Sequence, residues 1–282
     1  MRLTVPILLL AIAVVPCGAT ALPEPGVVTL QSGGMTVELQ RSHAWNIQRI
    51  SYRGVEVASA TGSYGALICV PVTGGWVGGP HTLGGIERID EIVLIVDGES
   101  VPLDDGARYS GTRIVLHKKS MLDLVRLDAT MTVHDGVITQ RHTLTTTEDV
   151  VVTAAYPFMY CITADTTEWL AVTTDGETLQ GRFIHGRDLQ WHEGWEWTAA
   201  FIPGSATGVL MRHLERAEDA VTMTGYWDHE RHHKLYVRWD SEEGPWREGK
   251  VLSGEFEFRA FTAPPAGWQD TARAIVSGLV VQ

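Results

Sequence analysis

The sequence predicts an all-β protein, a large antiparallel β-sandwich with one short C-terminal helix. Apolar and polar residues mostly alternate between positions 27 and 261, as on strands that bury one face. Asp-Gly pairs at 97–98, 105–106, 135–136 and 175–176 are tight-turn dipeptides between these segments. Many short strands with regular turns are typical of a sandwich.

Each element follows from the local pattern. Alternation predicts strands over residues 35–39, 114–116, 122–133, 143–153, 235–239 and 255–261. Pro264 and Pro265 end the last strand, since proline cannot donate to a sheet ladder. Apolar residues then recur at helical spacing, which predicts the helix: Trp268, Ala272, Ile275, Val276 and Leu279.

The first 21 residues have the pattern of a secretory signal. Arg2 precedes an apolar run over residues 5–15, and small residues follow at positions 19–21. We therefore expect a secreted or periplasmic protein, with residues 22–282 forming a single domain. No later segment is apolar for about 18 residues, so no membrane span is predicted. Cleavage of the signal would remove Cys17 and leave Cys69 and Cys161, as two buried thiols or as a disulfide.

Charge narrows the classes of partner. The chain has 34 acidic and 22 basic residues, a formal net charge of −12. Proteins that bind nucleic acid through its phosphates present a basic surface, so we expect no nucleic-acid partner. The hydrophobic fraction of 44% also excludes a disordered chain.

The opening segment, residues 27–68, resembles the start of the galactose mutarotase-like, or β-supersandwich, superfamily. The resemblance is carried by a strand, an I-x-x-I-x-Y-x-G hairpin and a later Tyr-Gly pair: Ile47, Ile50, Tyr52, Gly54 and Tyr64-Gly65. It implies a carbohydrate-handling fold that hosts epimerases, polysaccharide lyase domains and noncatalytic sugar-binding domains, and a fold alone does not choose among these. Arg88 lacks the adjacent Asn of active mutarotases, and residues 154–162 replace their H-x-Y-F-N-L stretch, so epimerase residues are not carried over.

Six glycines lie in the fourteen residues 74–87 and predict a loop, because glycine loses much entropy on ordering. This loop could present Trp76, His81 and Glu87 to a ligand. It lacks the Gly-x-x-x-x-Gly-Lys pattern of a phosphate loop. An ordinary surface loop is the alternative.

Residues 185–246 hold six of the ten Trp and six of the eleven His. Trp191, Glu193, Trp195 and Trp197 occupy alternate positions, so one strand would place them on one face. Indole faces stack on sugar rings and carboxylates bind hydroxyls, which favours a sugar site. The alternative is that these Trp side chains fill the core.

A polar segment, residues 225–236, is the third candidate. As a single strand it would place His229, Arg231 and His233 on one face, and Tyr226 beside them, in a cleft. Arg pairs bidentately with carboxylates such as those of uronic acids. The spacing matches no zinc signature, so no metal and no cofactor is predicted, although a divalent ion held by His and carboxylates stays open. A solvated loop is the alternative.

We therefore predict a secreted carbohydrate-active protein, a lyase or an epimerase-like enzyme, with a carbohydrate ligand and an unspecified oligomeric state. A base near neutral pKa suits proton transfer in both reactions. The predicted catalytic residues are His81, Glu87, Tyr226, His229, Arg231 and His233. The predicted substrate-binding residues are Trp76, Trp191, Glu193, Trp195 and Trp227. The alternative is a noncatalytic carbohydrate-binding or cell-envelope protein of the same fold.

Overall fold

The fold is described from a computed structural model that covers residues 26–62, 64–71, 75–79, 84–186, 189–240 and 244–279. The predicted leader, residues 1–21, and the predicted catalytic His81 lie outside the described residues. Within these ranges, no helix has the length and apolar character needed to cross a membrane.

The strands follow one another along most of the described chain. The first eleven are β1 (Val27–Ser32), β2 (Met35–Gln40), β3 (Asn46–Tyr52), β4 (Val55–Ala58), β5 (Leu67–Val70), β6 (Gly75–Gly78), β7 (Gly84–Ile86), β8 (Arg88–Val96), β9 (Glu99–Val101), β10 (Arg108–Ser110) and β11 (Arg113–Leu122). The others are β12 (Val125–His134), β13 (Val137–Thr146), β14 (Ala154–Thr163), β15 (Glu168–Thr173), β16 (Thr178–Arg182), β17 (Leu189–Glu193), β18 (Trp195–Ile202), β19 (Thr207–Glu215), β20 (Val221–His229), β21 (His232–Asp240) and β22 (Val251–Thr262). One helix, α1 (Trp268–Val276), follows in the described C-terminal part.

The described strands form two sheets. The larger has twelve strands, with the order β10-β1-β2-β3-β4-β14-β21-β20-β17 and with β5, β6 and β7 extending from β14. The smaller has ten, in the order β16-β15-β18-β19-β22-β13-β12-β11-β8-β9. The pairing is antiparallel except between β1 and β10 and between β6 and β7. The predicted antiparallel β-sandwich is confirmed.

The core lies between the two sheets and is built by side chains at alternate positions. Phe158 of β14 stacks on Phe256 of β22 with ring centroids 5.4 Å apart, and Tyr160 stacks on Phe258 at 4.9 Å. All four side chains are almost fully buried. Stacked aromatic pairs of this kind contribute beyond the area that they bury.

Helix α1 closes a second, smaller apolar cluster on the ten-stranded sheet. Trp268 stacks on Phe201 at 5.4 Å and donates its indole N–H to Glu168 at 3.2 Å. The predicted C-terminal helix is therefore confirmed, and it packs through Trp268, Ala272, Ile275 and Val276. It ends at Val276, so the predicted Leu279 lies beyond it and is exposed.

Two local predictions are corrected. Strand β13 ends at Thr146, not at Thr153, because Thr147 turns back to bond the Leu124 carbonyl. The glycine-rich segment is not simply a loop, since it contains β6 and β7. Glycine is accommodated there because Gly78 has φ +154° and lies against the Ala66 carbonyl, where a side chain would clash. Cys69 and Cys161 are both thiols.

Candidate functional site

The outer face of the twelve-stranded sheet, turned away from the core, carries the candidate site. On β21, Leu235, Val237 and Trp239 point into the core and are almost fully buried. Because successive side chains on a strand point to opposite faces, Lys234 and Tyr236 lie on the outer face.

The neighbouring strand β20 continues this face. Trp227 is the cross-strand partner of Lys234, and His229 is the partner of His232. Directly opposite residues of an antiparallel pair project to the same side of the sheet. Trp227 and His229 therefore lie on the outer face, with their rings 5.0 Å apart.

A register slip in β14 brings a further aromatic ring to this face. Ala155 pairs with Trp239 and Phe158 with Val237, so β14 has one extra residue between these pairs. Such a bulge changes which side chains face outward. Tyr156 projects from the outer face, while Phe158 and Tyr160 beyond the bulge enter the core.

Strand β6 brings Trp76 against Tyr156. Strand β5 pairs with the start of β14 and β6 pairs with β5, which sets Trp76 beside Cys69 and Ala154. The rings of Trp76 and Tyr156 stack with centroids 5.5 Å apart.

These side chains form a continuous strip across four strands. The ring centroids of Tyr156 and Tyr236 are 5.2 Å apart, and the Tyr236 centroid is 4.9 Å from the Lys234 Nζ. The rings of His229 and His232 stack with their centroids 5.1 Å apart. We name this set the outer-face strip: Trp76, Tyr156, Trp227, His229, His232, Lys234 and Tyr236. Its two Trp, its two Tyr and His229 are half-buried, so each keeps part of its surface exposed.

Lys234 is the unusual member of the strip, because it is only 4% exposed. Among the described residues, no carboxylate lies within ion-pair distance of its Nζ, and its cation–π contact is with Tyr236. Burial lowers the pKa of Lys234, and the nearby Cys161 opposes this effect. A buried ammonium without a carboxylate is costly unless a partner binds.

The segment before β5 covers one end of the strip. Thr61 Oγ1 lies 3.2 Å from His232 Nδ1, and a Cβ on Gly62 would overlap the Cys161 sulfur. Burial and the neighbouring cationic groups lower the pKa of His232 to about 4, so its imidazole is neutral at physiological pH. Burial also raises the pKa of Tyr236 and of Tyr156.

The strip has the chemistry of a sugar-binding surface. Indole and phenol faces can stack on the C–H faces of pyranose rings, and imidazole, phenol and ammonium groups can bind hydroxyls or a carboxylate. Beside it, Arg238 Nε donates to Asp240 Oδ1 at 2.7 Å and supplies an ion pair on the same face.

Three predicted residues belong to this strip, namely Trp76, Trp227 and His229. In the 225–236 segment, the prediction that His229, Arg231 and His233 share one face is wrong. The segment is a tight hairpin whose turn is Glu230–Arg231, so His229 pairs with His232 and His233 points to the opposite face. Arg231 is exposed at the turn.

Tyr226 and His233 face the interior of the sandwich. The Tyr226 hydroxyl lies 3.0 Å from the Thr198 hydroxyl, and burial raises the pKa of the phenol. His233 is fully buried against Phe183. Both side chains therefore lie on the other face of the sheet from His229.

Glu87 lies in a buried polar cluster between the sheets. Its carboxylate is 2.7 Å from Lys118 Nζ, and it accepts hydrogen bonds from Ser120 at 2.7 Å and Asn46 at 2.9 Å. Lys118 also donates to Asn46 Oδ1 at 2.8 Å and to the Ala44 carbonyl at 3.1 Å. Burial lowers the pKa of Lys118, and Glu87 partly offsets this. The predicted convergence of Glu87 with His229 is not found.

The predicted single strand through Trp191, Glu193, Trp195 and Trp197 is also wrong. Gly194, with φ +80°, separates β17 of the twelve-stranded sheet from β18 of the ten-stranded sheet. Trp195 is 1% exposed in the core, and a register slip places Trp197 in the other apolar cluster. The backbone of Trp191 and Glu193 lies in β17, whose side chains are outside the described part.

Sequence reasoning missed Tyr156, His232, Lys234 and Tyr236. Alternation over β21 was the available signal: the apolar Leu235, Val237 and Trp239 mark one face, so residues 234 and 236 must lie on the other. Tyr156 gave no such signal, because its direction depends on the bulge in β14.

A concave region lies near the turn after β18. This cavity of about 630 Å³ is lined by Glu56, Asp165 and Ser205 among other residues, and none of its lining residues is aromatic. Sugar sites use aromatic stacking, so the outer-face strip is the better candidate.

Comparison with known proteins identifies the fold. By sequence, the chain matches no protein-family model and no curated protein. By structure, it is similar to a galactose mutarotase-like protein from Clostridium acetobutylicum, with a TM-score of 0.50 at 5% identity over 83% of this chain and 95% of that one. A protein from Klebsiella pneumoniae subsp. pneumoniae, provisionally assigned as an aldose 1-epimerase, gives 0.53 at 9% identity over 87% and 81%.

A third similar structure is the galactosidase domain of an α-galactosidase–sucrose kinase. The TM-score is 0.55 at 10% identity, and the match covers 84% of this chain but only 40% of that one. At these identities the likeness concerns the fold. The resemblance of the opening strands is thereby confirmed over most of the chain, whose fold is that of the galactose mutarotase-like proteins.

Proposed function

We propose that this protein binds a short oligosaccharide containing an acidic sugar on the outer-face strip, and that it acts on this ligand as a lyase. Solved proteins of the same fold include a galactose mutarotase-like protein and a galactosidase domain, which supports a carbohydrate ligand. The two half-buried Trp and two half-buried Tyr side chains of the strip supply the stacking surface.

The observation that carries the proposal is the state of Lys234. Its ammonium lies over the Tyr236 ring, almost fully buried, with no carboxylate from the described residues beside it. A uronate carboxylate would complete this environment, because a charge-assisted hydrogen bond in a desolvated site is strong. A neutral sugar would leave the ammonium without a counter-charge from either the ligand or the described residues.

The residues around Lys234 suit a β-elimination. Lys234 would neutralise the uronate carboxylate, and the imidazole of His229 would take the proton from the adjacent carbon. The C–O bond to the leaving sugar breaks as a C=C bond forms, and the Tyr236 hydroxyl would protonate the leaving oxygen. Epimerisation through Glu87 is disfavoured, because that carboxylate is held in the core by Lys118.

The net negative charge of the chain favours a short acidic ligand over a long one. A formal charge of −12 repels a long polyanion, whereas a short ligand senses mainly the local groups of the strip. We further propose that the protein is exported, as residues 1–21 suggest. Mass spectrometry of the mature N-terminus would detect cleavage after residue 21, and an intact N-terminus in the exported fraction would contradict it.

Binding of matched neutral and uronic oligosaccharides, measured by calorimetry, tests the proposal. We expect the wild type to prefer the uronic member of each pair, and Lys234→Met to lose that preference by at least about tenfold, a loss typical of one charge-assisted bond. Met preserves the volume of the lysine stem, so the fold is retained. Lys119→Met is the matched control, since Lys119 is exposed, pairs with Glu91 and lies on the ten-stranded sheet, away from the strip.

The same panel separates a lyase from a binding protein. A lyase releases an unsaturated uronate that absorbs in the ultraviolet, and His229→Ala would slow its release by a larger factor than it weakens binding. Binding without any unsaturated product would favour the noncatalytic alternative. Equal binding of neutral and uronic ligands by the wild type would refute the role of Lys234.

A further inference from the structure

A second cluster of functional side chains lies on the inner side of the β20–β21 hairpin. His185, Asp228 and His233 each offer one ligand atom, and these atoms all lie within 4.8 Å of one another. His185 follows β16, and the other two residues are cross-strand partners on β20 and β21. The cluster is separate from the outer-face strip, because His233 and Lys234 point to opposite faces.

Asp228 is oriented by backbone groups. One carboxylate oxygen, Oδ2, accepts the amide N–H of Ile184 at 2.7 Å, and the amide of Gly186 lies at 3.5 Å. The other oxygen, Oδ1, is buried and makes no well-aligned hydrogen bond with the described residues. The segment that fixes Asp228 is therefore the one that carries His185.

His233 is fully buried, and its ring is held flat against Phe183 with centroids 3.8 Å apart. Its Nδ1 lies 2.8 Å from Asp228 Oδ1, yet within the described part neither ring nitrogen has a well-aligned hydrogen bond. The Ala164 backbone lies beside the ring. Asp228 and the Ala164 backbone are thus the polar neighbours of this buried imidazole, and a bound cation would replace an imperfectly aligned contact with Asp228.

His185 completes the cluster from the solvent side. It is exposed and has φ +58°, a left-handed conformation that is uncommon for residues other than glycine. This conformation brings its ring to 5.2 Å from the His233 ring.

We propose that His185, Asp228 and His233 bind a zinc ion. Two imidazoles and one carboxylate are a typical zinc donor set, whereas calcium and magnesium prefer oxygen ligands. Zinc–ligand bonds of about 2.0–2.1 Å place tetrahedral ligand atoms roughly 3.3 Å apart, so a rotation of the exposed His185 closes the site. The backbone amide that bonds Asp228 and the Phe183 ring that stacks on His233 hold these two ligands in orientation, as residues surrounding a metal site commonly do.

The ion would join the two sheets at one side of the sandwich. His185 follows the edge strand β16 of the ten-stranded sheet, while Asp228 and His233 belong to the twelve-stranded sheet. A water molecule would occupy the fourth position, on the solvent side where His185 lies. The ion would stabilise the β20–β21 hairpin on its inner face, while the outer-face strip lies on the outer face of the same hairpin.

Titration of the metal-stripped full chain with zinc chloride, followed by calorimetry, tests this site. We expect one zinc per chain and a rise in melting temperature on binding. Cobalt(II) in place of zinc should give the intense visible bands of a tetrahedral site. His185→Ala removes an exposed ligand without disturbing the core, and should raise the Kd for zinc by more than about tenfold.

Two further variants complete the test. Asp228→Asn should weaken zinc binding similarly. His134→Ala is the matched control, because His134 is exposed and lies 3.1 Å from the Asp135 carboxylate in a simple pair. Its zinc affinity should equal that of the wild type. The absence of stoichiometric zinc in the wild type, or the same affinity in His185→Ala as in the wild type, would overturn the proposal.

Discussion

Substituting Lys118 with Met would leave the Glu87 carboxylate buried without its cation. The Glu87 side chain has no exposed surface and that of Lys118 only 3%, and their charged atoms are 2.7 Å apart. In the variant, Ser120 and Asn46 would still donate hydrogen bonds to Glu87, but no positive charge would oppose it. Uncompensated buried charges of this kind typically cost about 3–5 kcal/mol.

This loss is large relative to the whole stability of a domain, which is about 5–15 kcal/mol. With a urea m-value of about 3 kcal/mol/M, the unfolding midpoint would fall by roughly 1–2 M. Urea titration followed by tryptophan fluorescence at neutral pH measures it, and circular dichroism checks that the variant is folded. An unchanged m-value is required for the comparison.

Two controls isolate the ion pair. In the double variant Glu87→Gln/Lys118→Met no buried charge remains, so most of the stability should return. Lys119→Met changes the neighbouring lysine, which is exposed and pairs with Glu91 at 2.8 Å, and should leave the midpoint unchanged. A Lys118→Met midpoint equal to the wild-type value, or a double variant less stable than Lys118→Met, would refute the reasoning.

Three further predictions concern stability. Burial lowers the pKa of His142 to about 4, so its protonation opposes folding, and the free energy of unfolding decreases as pH falls from about 6.5 to about 4. In urea titrations over that pH range, His142→Gln should lose about 3 kcal/mol less of this free energy than the wild type. Gly33→Ala would set a Cβ 2.2 Å from the Gly136 amide nitrogen at φ +55°, so we expect a much lower melting temperature than for Gly54→Ala, which has a positive φ but open space. Trp268→Ala should cost about 3–5 kcal/mol by calorimetric unfolding, and a loss below about 1 kcal/mol would show that α1 is not part of the cooperative core.

The sandwich could be predicted because its determinants are local. Alternation of apolar and polar residues over β11, β12 and β22 indicates which side chains are buried. The Asp-Gly pairs at 97–98 and 135–136 have positive φ angles and form the turns of hairpins. The C-terminal helix also follows from spacing alone. In each case neighbouring residues in the chain decide the conformation.

The candidate site could be predicted only in part, because single residues redirect its side chains. Trp227 and His229 were found from composition, but the turn at Glu230–Arg231 sends His233 to the other face. Gly194 moves Trp195 into a different sheet from Trp191. The bulge in β14 turns Tyr156 outward. None of these three features changes the apolar–polar pattern enough to be recognised in advance.

The position of β16 and β17 in the chain has a consequence for how the sandwich opens. β16 is an edge strand of the ten-stranded sheet, β17 is an edge strand of the twelve-stranded sheet, and they are consecutive in sequence. Each is paired on one side only among the described strands, so each has fewer hydrogen bonds and contacts to break when it opens locally. Both edges would therefore exchange their amide hydrogens well before the central strands β14 and β22.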